Sequence, residues 1–376
     1  MRGRLIARLA GESWPAIVVW SAATASILAT CTASGYRPFV PDTWARWDSA
    51  LYLDIARHGY TLFQCAPPHR SDWCGNAGWF PAYPALAAAL HAVGLPLGGA
   101  ALALSWLFGA ATIALLWFTF LGRRLSLAAL ACLAYVAFAP GQVYDYAIFP
   151  LSLLTFWVVA HLWLLVRGRW ARAGLAGALA ASAYPVGVMV VPAAVLWLLA
   201  ITRAEPTRER IRRITLVGGL SLLGPAIVVL SQALEVGRWN AYFLVQAKYG
   251  HGLRDPVAPA IDAARTLSHS SPFAVANAPA VQTLLVAFVL ACVLVELLAR
   301  RRTATRLDVL VALWAIFSWL LPHLQENVSI YRSQAALAPL ALLVRRLPLP
   351  LLAPIVGVAI WLSVPMAQLY LRAQLV

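Results

Sequence analysis

The chain has 376 residues, of which 62% are hydrophobic and only 11% are charged. About a quarter of the residues in a soluble domain are charged, so a chain this poor in charge needs lipid to cover part of its surface. The net charge of +15 does not indicate nucleic acid as a partner, because the basic residues stand in short runs between apolar segments. Long continuous apolar runs favour helices over a barrel, and they predict an all-α polytopic membrane protein.

The apolar runs predict about 10–12 transmembrane helices in one domain, residues 1–376. Three arginines precede the first run, so we expect a cytoplasmic N-terminus. The positive-inside rule then makes 35–81 a first outer loop and 235–279 a second. Nine of the apolar segments are predicted to be simple crossings: 14–34, 100–121, 125–139, 147–166, 216–234, 281–299, 307–321, 333–344 and 349–371.

Two apolar segments do not fit simple crossings. If residues 82–97 crossed the membrane, the later basic loops would fall on the outer side. We therefore expect an interfacial or re-entrant helix at the outer face. Residues 173–200 have basic residues at both ends but number too few for two crossings, which need about 40 residues. They predict a short hairpin, bent at Tyr184-Pro185, whose tip lies inside the membrane against protein or a wet cavity.

The first outer loop predicts a helix over 44–60 that lies on the membrane surface. Its apolar face contains Trp44, Trp47 and Leu51, Asp54 can pair with Arg57, and Gly59 ends the helix. Asp48 stands beside the apolar face, where a carboxylate is costly without a task or a partner. It is either a charge that favours the helix N-terminus or a general base at the lipid–water boundary.

The five cysteines divide into two kinds. Cys31, Cys132 and Cys292 lie in apolar segments and are interpreted as packing residues. Cys65 and Cys74 flank a short polar stretch of the first outer loop, so we expect a disulfide there. The spacing of cysteine and histidine matches no zinc pattern, and we expect no bound metal.

Two stretches of the chain resemble a known family. They contain the following residues in order: Trp47-Asp48-Ser49, Tyr52, Ile55-Ala56, Gly59-Tyr60, and then Trp79-Phe80-Pro81-Ala82-Tyr83-Pro84. This order is similar to W-D-x-x-x-Y-x-x-I-A-x-x-G-Y followed by F-F-P-x-Y-P in PIG-V-type mannosyltransferases (GPI mannosyltransferase 2-like) and their bacterial relatives. That family belongs to the C superfamily of glycosyltransferases (GT-C).

Weaker similarities extend along the chain, with departures. Tyr144-Asp145-Tyr146 resembles Y-x-E with tyrosine in the glutamate place, and Tyr184 stands where the family has arginine. Gln246 with Tyr249-Gly250-His251 resembles Q-x-x-W-G-R, and Ser329-Ile330-Tyr331-Arg332 resembles S-x-x-R. These changes leave the expected fold intact, but they leave the acceptor and the sugar open.

The resemblance implies a GT-C-type fold with juxtamembrane helices in its outer loops. It also implies a polyprenyl-phosphate sugar donor, no further cofactor, and a catalytic acidic residue in the first outer loop, here Asp48. Acting as general base, Asp48 would deprotonate the acceptor hydroxyl, and attack opposite the leaving phosphate would invert the anomeric carbon.

Basic residues of the outer face are candidates for binding the donor. Arg332 follows an outer loop and starts an apolar helix, so it is either a bidentate phosphate ligand or a snorkelling interfacial arginine. Tyr331 is expected to contact the donor beside it. Lys248 and His251 are either a second phosphate-binding group or part of an ordinary solvated loop.

A further set of residues is predicted to bind the sugar or the acceptor: Trp47, Tyr52, Asp145, Tyr144, Gln246 and His323. Asp145 and Tyr144 are placed in a short outer turn. Aromatic rings can stack on the faces of sugars, and a carboxylate accepts hydrogen bonds from sugar hydroxyls. The same residues would also suit an interfacial aromatic belt with a turn-forming aspartate.

The sequence thus predicts a glycosyltransferase at the outer face of a bacterial plasma membrane. It would move a hexose, mannose by resemblance, to a lipid-linked glycan, a glycolipid or a protein hydroxyl. Two alternatives remain. A transporter or flippase would carry paired charges deep within its spans, whereas here the carboxylates stand mostly in outer loops. A non-catalytic relative would keep the fold without turnover.

Overall fold

The computed structural model describes residues 2–68, 71–122, 125–250, 252–325 and 329–375, with side chains described from residue 12 onwards. These residues are mostly helical. The helices are α1 (Arg2–Ala33), α2 (Pro41–Trp44), α3 (Ser49–His58), α4 (Ala82–Ala92), α5 (Leu97–Thr119), α6 (Leu127–Ala137), α7 (Leu151–Val166), α8 (Trp170–Ala183), α9 (Val190–Ile201), α10 (Thr207–Ser221), α11 (Leu223–Val236), α12 (Ala241–Ala247), α13 (Ala258–Ser268), α14 (Ala278–Ala299), α15 (Arg306–Leu324), α16 (Ile330–Ala335), α17 (Ala341–Val344) and α18 (Leu349–Leu371).

Short elements complete the chain. The 3-10 helices are Gln142–Asp145, Pro185–Met189, Val275–Asn277, Arg301–Thr303 and Ala338–Leu340. Strands β1 (Phe63–Gln64) and β2 (Trp73–Cys74) pair antiparallel, with Phe63 opposite Cys74.

Six segments of the described chain are long and apolar enough to cross a membrane: Glu12–Ala33, Leu97–Thr119, Thr207–Val236, Val275–Ala299, Arg306–Leu324 and Leu349–Leu371. Leu127–Ala137, Leu151–Val166 and Pro185–Ile201 are shorter apolar helices. The protein is therefore a multi-pass membrane protein, as its composition predicts.

The sequence prediction of about 10–12 spans counted three broken or short segments as full crossings. The helix in 125–139 has 11 residues, and the one in 147–166 has 16. At about 1.5 Å per residue, neither covers a hydrocarbon core of about 30 Å. Residues 333–344 form no single helix, because α16 ends at Ala335 and a 3-10 turn separates it from α17.

The predicted hairpin over 173–200 is confirmed as helix, break, helix. Helix α8 ends at Ala183, and Tyr184 is fully extended, with φ −158° and ψ 148°. The break follows from Pro185, because a proline ring disfavours helical geometry in the residue before it. The 3-10 turn after Tyr184 leads into α9, so the polypeptide reverses direction within the bundle.

Small residues allow α8 to pack closely against its neighbours. A Cβ on Gly174 would lie 2.6 Å from the Cβ of Leu220 in α10, and one on Gly224 of α11 would lie 2.5 Å from the carbonyl oxygen of Ala178. Close approach of helix backbones through glycine and alanine is a common way to associate helices in lipid. This packing fixes the position of the hairpin tip.

The first loop is folded differently from the single helix predicted over 44–60. Trp47 adopts φ 53°, a left-handed conformation that interrupts the helix between α2 and α3. The predicted pair of Asp54 with Arg57 is not formed; Asp54 instead bonds His58 at 2.8 Å and Asn76 at 2.7 Å. The hydrogen bond from His58 is the main reason that the pKa of Asp54 is lowered. Gly59, with φ 78°, ends α3 as predicted.

Several bonds hold the first loop against the bundle. The predicted disulfide joins Cys65 and Cys74 beside the short sheet. The backbone N–H of Tyr60 donates to Glu235 at the end of α11, at 2.5 Å. Helix α4, within the predicted interfacial segment, packs on α5, where the Tyr83 hydroxyl donates to the Ala101 carbonyl at 2.6 Å. With 11 residues, α4 is too short to span.

Candidate active site

A cavity of about 530 Å³ opens where the first loop, the hairpin tip and the ends of α12, α15 and α16 meet. It lies at the end of the spanning helix α15. The lining residues are Asp48, Tyr52, Gly78, Trp79, Tyr184, Pro185, Val186, Tyr242, Phe243, Gln246, Ala247, Tyr249, Gly250, Leu321, Pro322, Gln325, Ser329, Arg332 and Ser333. Asp48 is the one carboxylate and Arg332 the one guanidinium in this described lining.

Asp48 is the residue that precedes the first turn of α3, but its side chain does not cap that helix. Its carboxylate Oδ2 instead accepts a hydrogen bond from Arg332 Nη1. The side chain is 28% exposed. Asp48 thus stands at a helix N-terminus and also faces the cavity, and its role as a general base stays a prediction.

Arg332 is buried, with a relative exposure of 5%. Its guanidinium carbon lies 5.2 Å from the centre of the Phe149 ring. The Nε atom is buried without a hydrogen-bond partner among the described residues. The alternative of a snorkelling interfacial arginine is wrong, since Arg332 is buried inside the bundle, and its role as a phosphate ligand stays a prediction. A buried guanidinium needs an anion, and Asp48 is that anion.

Aromatic side chains form much of the cavity wall. Tyr52 is buried, with its ring edge-on to Phe149 at 5.9 Å, and burial raises the pKa of its hydroxyl well above the usual value. The Tyr60 hydroxyl donates a hydrogen bond to the Trp79 carbonyl at 3.0 Å and holds Trp79 in place. Tyr242 packs edge-on to Phe80. Such rings offer flat faces, and the tyrosines add hydroxyl groups.

Gln246, which the sequence predicts to bind the sugar or the acceptor, lines the cavity. Its Nε2 donates to the Gly78 carbonyl at 2.9 Å. A Cβ on Gly78 would lie 2.9 Å from Val245 Cγ1 and 3.0 Å from Gln246 Nε2, so glycine there lets α12 approach the first loop. This contact joins the second loop to the first at the cavity.

Six of the predicted contacts lie outside the cavity wall, and the first four are Trp47, Lys248, Tyr331 and His323. Trp47 is 43% exposed because the left-handed turn directs it away. Lys248 places its Nζ 4.9 Å from the centre of the Tyr249 ring, and burial lowers its pKa. Tyr331 is half-buried, and its carbonyl accepts from Gln282 at 3.1 Å. His323 is fully buried, with Nδ1 bonded to the Trp319 carbonyl at 2.7 Å.

Asp145 and Tyr144 do not lie in an outer turn. Their 3-10 helix folds back into the bundle, because Gly141 adopts φ 84°. Asp145 Cβ would lie 3.4 Å from a Cβ on Gly109, which is halfway along α5. Tyr144 is buried, with its ring 5.6 Å from that of Tyr370. The predicted outer turn is therefore wrong for both residues.

Sequence reasoning missed two kinds of cavity residue. Tyr184 is predicted as the bend of the hairpin and as a departure from the family pattern, but not as a contact; its place at the hairpin break puts it in the wall. Tyr249 enters the prediction only within the similarity around Gln246, and Tyr242 is not among the predicted contacts; the fold of α12 brings both to the cavity. His251, which was predicted to contact the donor, lies outside the described residues.

Among the described residues, no group of three or more His, Cys, Asp or Glu side chains could hold a metal ion. No family model matches the chain, and no curated protein matches it. The fold and the apolar helices define a multi-pass α-helical membrane protein, whose cavity contains a carboxylate–guanidinium pair.

Proposed function

We propose that the protein is a glycosyltransferase that moves a hexose, in our reading mannose, from a polyprenyl-phosphate sugar to an acceptor hydroxyl. The observation that carries the proposal is the contact between Asp48 and Arg332 inside one aromatic-lined cavity. The similarity of the Trp47-Asp48-Ser49 region to PIG-V-type enzymes of the GT-C superfamily agrees with it. The acceptor belongs to a lipid-linked glycan, a glycolipid or a protein.

The pair supplies the two groups that the transfer requires. Asp48 accepts the proton of the acceptor hydroxyl while the oxygen of that hydroxyl bonds to the anomeric carbon. The bond from that carbon to the phosphate oxygen breaks on the opposite face, so the configuration inverts. The negative charge that leaves on the phosphate is stabilised by Arg332. The buried Nε of Arg332 has no hydrogen-bond partner among the described residues, and a phosphate oxygen is the kind of acceptor it needs.

The place of the cavity suits a lipid-linked donor. Leu321 and Pro322 near the end of the spanning helix α15 belong to its wall, so the polyprenyl chain can stay in the bilayer while its phosphate reaches Arg332. Phe243, 61% exposed, stands at the wall and offers apolar surface to such a chain. We place this end of the molecule outside a bacterial plasma membrane, because arginines crowd the other end.

A transporter of a lipid-linked or anionic substrate is the second candidate. Asp145 favours it, because an ionisable residue halfway along α5 is the kind of group that marks a transport path. Asp145 does not line the cavity, however, and the charged pair lies at one end of the bundle. A non-catalytic relative would bind the donor at the same pair without turnover.

The decisive experiment compares Asp48→Asn with the wild type in proteoliposomes. Radiolabelled polyprenyl-phosphate mannose and a lipid extract of the source cell are supplied, and donor binding is measured separately. We expect transfer to fall by about 10²–10⁴-fold in Asp48→Asn, the usual contribution of a general base, while donor binding persists. Asp42→Asn is the matched control, because Asp42 is an exposed carboxylate of the same loop outside the cavity.

Equal transfer by the wild type and Asp48→Asn would exclude Asp48 as the base. Donor binding without transfer in the wild type, across other sugars and acceptors, would favour the non-catalytic reading. Movement of intact donor across the bilayer, without release of polyprenyl phosphate, would favour the transporter.

A further inference from the structure

A second cavity, of about 270 Å³, lies far from Asp48. It is formed by the turn from α7 to α8, the end of α9, the start of α10 and the first residue of α15. The lining residues are Leu165, Val166, Arg167, Gly168, Trp170, Trp197, Ile201, Glu205, Arg213 and Arg306. We call it the arginine cavity.

The arginine cavity and the Asp48 cavity occupy opposite ends of the same helices. Helix α15 begins at Arg306 in the arginine cavity and reaches the Asp48 cavity at Leu321. Helix α8 likewise runs from Trp170 in the arginine cavity to the residue before Tyr184. With 19 residues, α15 is about 28 Å long, close to the hydrocarbon thickness of about 30 Å. The arginine cavity therefore stands at headgroup depth on the opposite membrane face.

The three arginines of the cavity differ in their partners. Arg213 is fixed: its Nη1 binds Glu205 and its Nε binds Glu209, each at 2.9 Å, and its guanidinium lies over the Trp170 ring. Arg167 and Arg306 are exposed, and neither side chain has an acceptor among the described residues. Two guanidinium groups are thus available to an anion that enters the cavity.

Glu205 adds a second kind of recognition. One carboxylate oxygen, Oε1, is committed to Arg213, whereas Oε2 is buried without a hydrogen-bond partner among the described residues. A buried carboxylate oxygen without a donor is costly. A ligand that brings a hydroxyl group next to its phosphate would satisfy Oε2 and the two arginines together.

We infer that the arginine cavity binds the headgroup of an anionic phospholipid that carries a hydroxyl group, as phosphatidylglycerol does. The phosphodiester contacts Arg167 and Arg306, and a headgroup hydroxyl donates to Glu205 Oε2. Val166, 42% exposed at the cavity, offers apolar surface to an acyl chain. Basic pockets between transmembrane helices commonly bind lipid headgroups in this way. The inference does not depend on the proposed sugar transfer.

Native mass spectrometry of the full chain in a neutral detergent tests this site by titration with phosphatidylglycerol. We expect the double variant Arg167→Gln/Arg306→Gln to bind it about tenfold or more weakly than the wild type. The matched control is Arg172→Gln/Arg208→Gln, which removes the same charge from exposed positions outside the cavity and should change binding by less than about twofold. Circular dichroism checks that both variants fold.

Two other ligands separate the parts of the inference. Phosphatidylmethanol has the same charge but no hydroxyl, and the wild type should bind it about threefold or more weakly than phosphatidylglycerol. Glycerol phosphate should bind far more weakly than the lipid. Equal loss in both double variants, or no loss in either, would overturn the site. Equal binding of the two lipids would overturn the role of Glu205, and tight binding of glycerol phosphate would assign the cavity to a soluble phosphate.

Discussion

Asp48 and Arg332 are 284 positions apart in the chain, and their contact lies in the cavity where we propose sugar transfer. The two partners are not equivalent, because Arg332 is buried while the Asp48 side chain is 28% exposed. Removing one partner of a buried ion pair leaves an uncompensated charge and costs about 3–5 kcal/mol. Asparagine at position 48 keeps an acceptor for Arg332, which makes it a gentler test than alanine.

Arg332→Lys separates charge from geometry at this site. Lysine keeps the positive charge but lacks the planar fork that can hold Asp48 and a phosphate together. We expect polyprenyl-phosphate donor to bind on the order of tenfold more weakly, about 1.4 kcal/mol, with the fold retained. Equilibrium binding of labelled donor in detergent measures this loss.

Arg265→Lys is the control for that measurement. Arg265 is an exposed arginine of α13, 75% accessible, with a carboxylate neighbour 3.5 Å away at Asp262. Its replacement should leave donor affinity unchanged, since surface ion pairs contribute little. Unaltered donor affinity in Arg332→Lys would mean that Arg332 serves only to neutralise Asp48.

At the scale of residues, the sequence led to Asp48, Arg332, Tyr52 and Gln246, all of which line the cavity. It failed where the backbone takes an uncommon conformation. Trp47 adopts a positive φ without being glycine, so a helical pattern could not place it. Gly141 likewise turns the next residues into the bundle. A prediction that only alternates successive loops between the two membrane faces does not reveal this turn.

At the scale of elements, breaks in apolar segments decided which predictions held. The bend at Tyr184 was predictable because the ring of Pro185 disfavours helical geometry in the residue before it. Residues 333–344 looked like a span because their composition is apolar, although Gln334 is buried there and bonds Gln282 at 2.8 Å. Hydropathy cannot distinguish a continuous helix from two short ones packed inside a bundle.

The hairpin tip should be sensitive to a single added methyl group. A Cβ on Gly187 would collide with the carbonyl oxygen of Ala180 and lie 2.7 Å from its carbonyl carbon. Gly187→Ala should therefore destabilise the protein by about 1–3 kcal/mol. Sugar transfer should fall as well, because Tyr184 and Val186 of the same tip line the cavity. Thermal unfolding in detergent and the transfer assay measure the two effects.

Gly219→Ala is the matched control for the hairpin. Gly219 lies inside α10, and a Cβ there would meet no atom within 4 Å. Alanine favours a helix over glycine by about 1 kcal/mol, so this variant should be as stable as the wild type or slightly more. If Gly187→Ala were equally stable, the hairpin tip would be more adaptable than its packing indicates.

At the scale of the molecule, the two cavities and the distribution of arginines define opposite ends. Arg167 lines the arginine cavity, and Arg208 and Arg302 lie near it, in or next to turns between helices that extend toward the Asp48 cavity. Positive residues are enriched on the cytoplasmic side of membrane proteins. The end with the arginine cavity should therefore face the cytoplasm, and the first loop should face outward.

Cysteine labelling in intact cells checks this orientation. Two exposed positions at the Asp48 end are Arg37 in the first loop and Leu253, 93% accessible, in the second. They are replaced in the variants Arg37→Cys and Leu253→Cys. Both should react with a membrane-impermeant maleimide added to intact cells. Arg208→Cys and Arg302→Cys, at the other end, should react only after the membrane is permeabilised.

The background for this labelling replaces Cys31, Cys132 and Cys292 by alanine and keeps the disulfide, since these three are the free cysteines. The unmodified background is the control and should not react under either condition. Reaction of Arg208→Cys in intact cells, with Arg37→Cys protected, would reverse the orientation. The Asp48 cavity would then open to the cytoplasm, and the donor phosphate and the anionic phospholipid would each belong to the leaflet opposite to the one proposed.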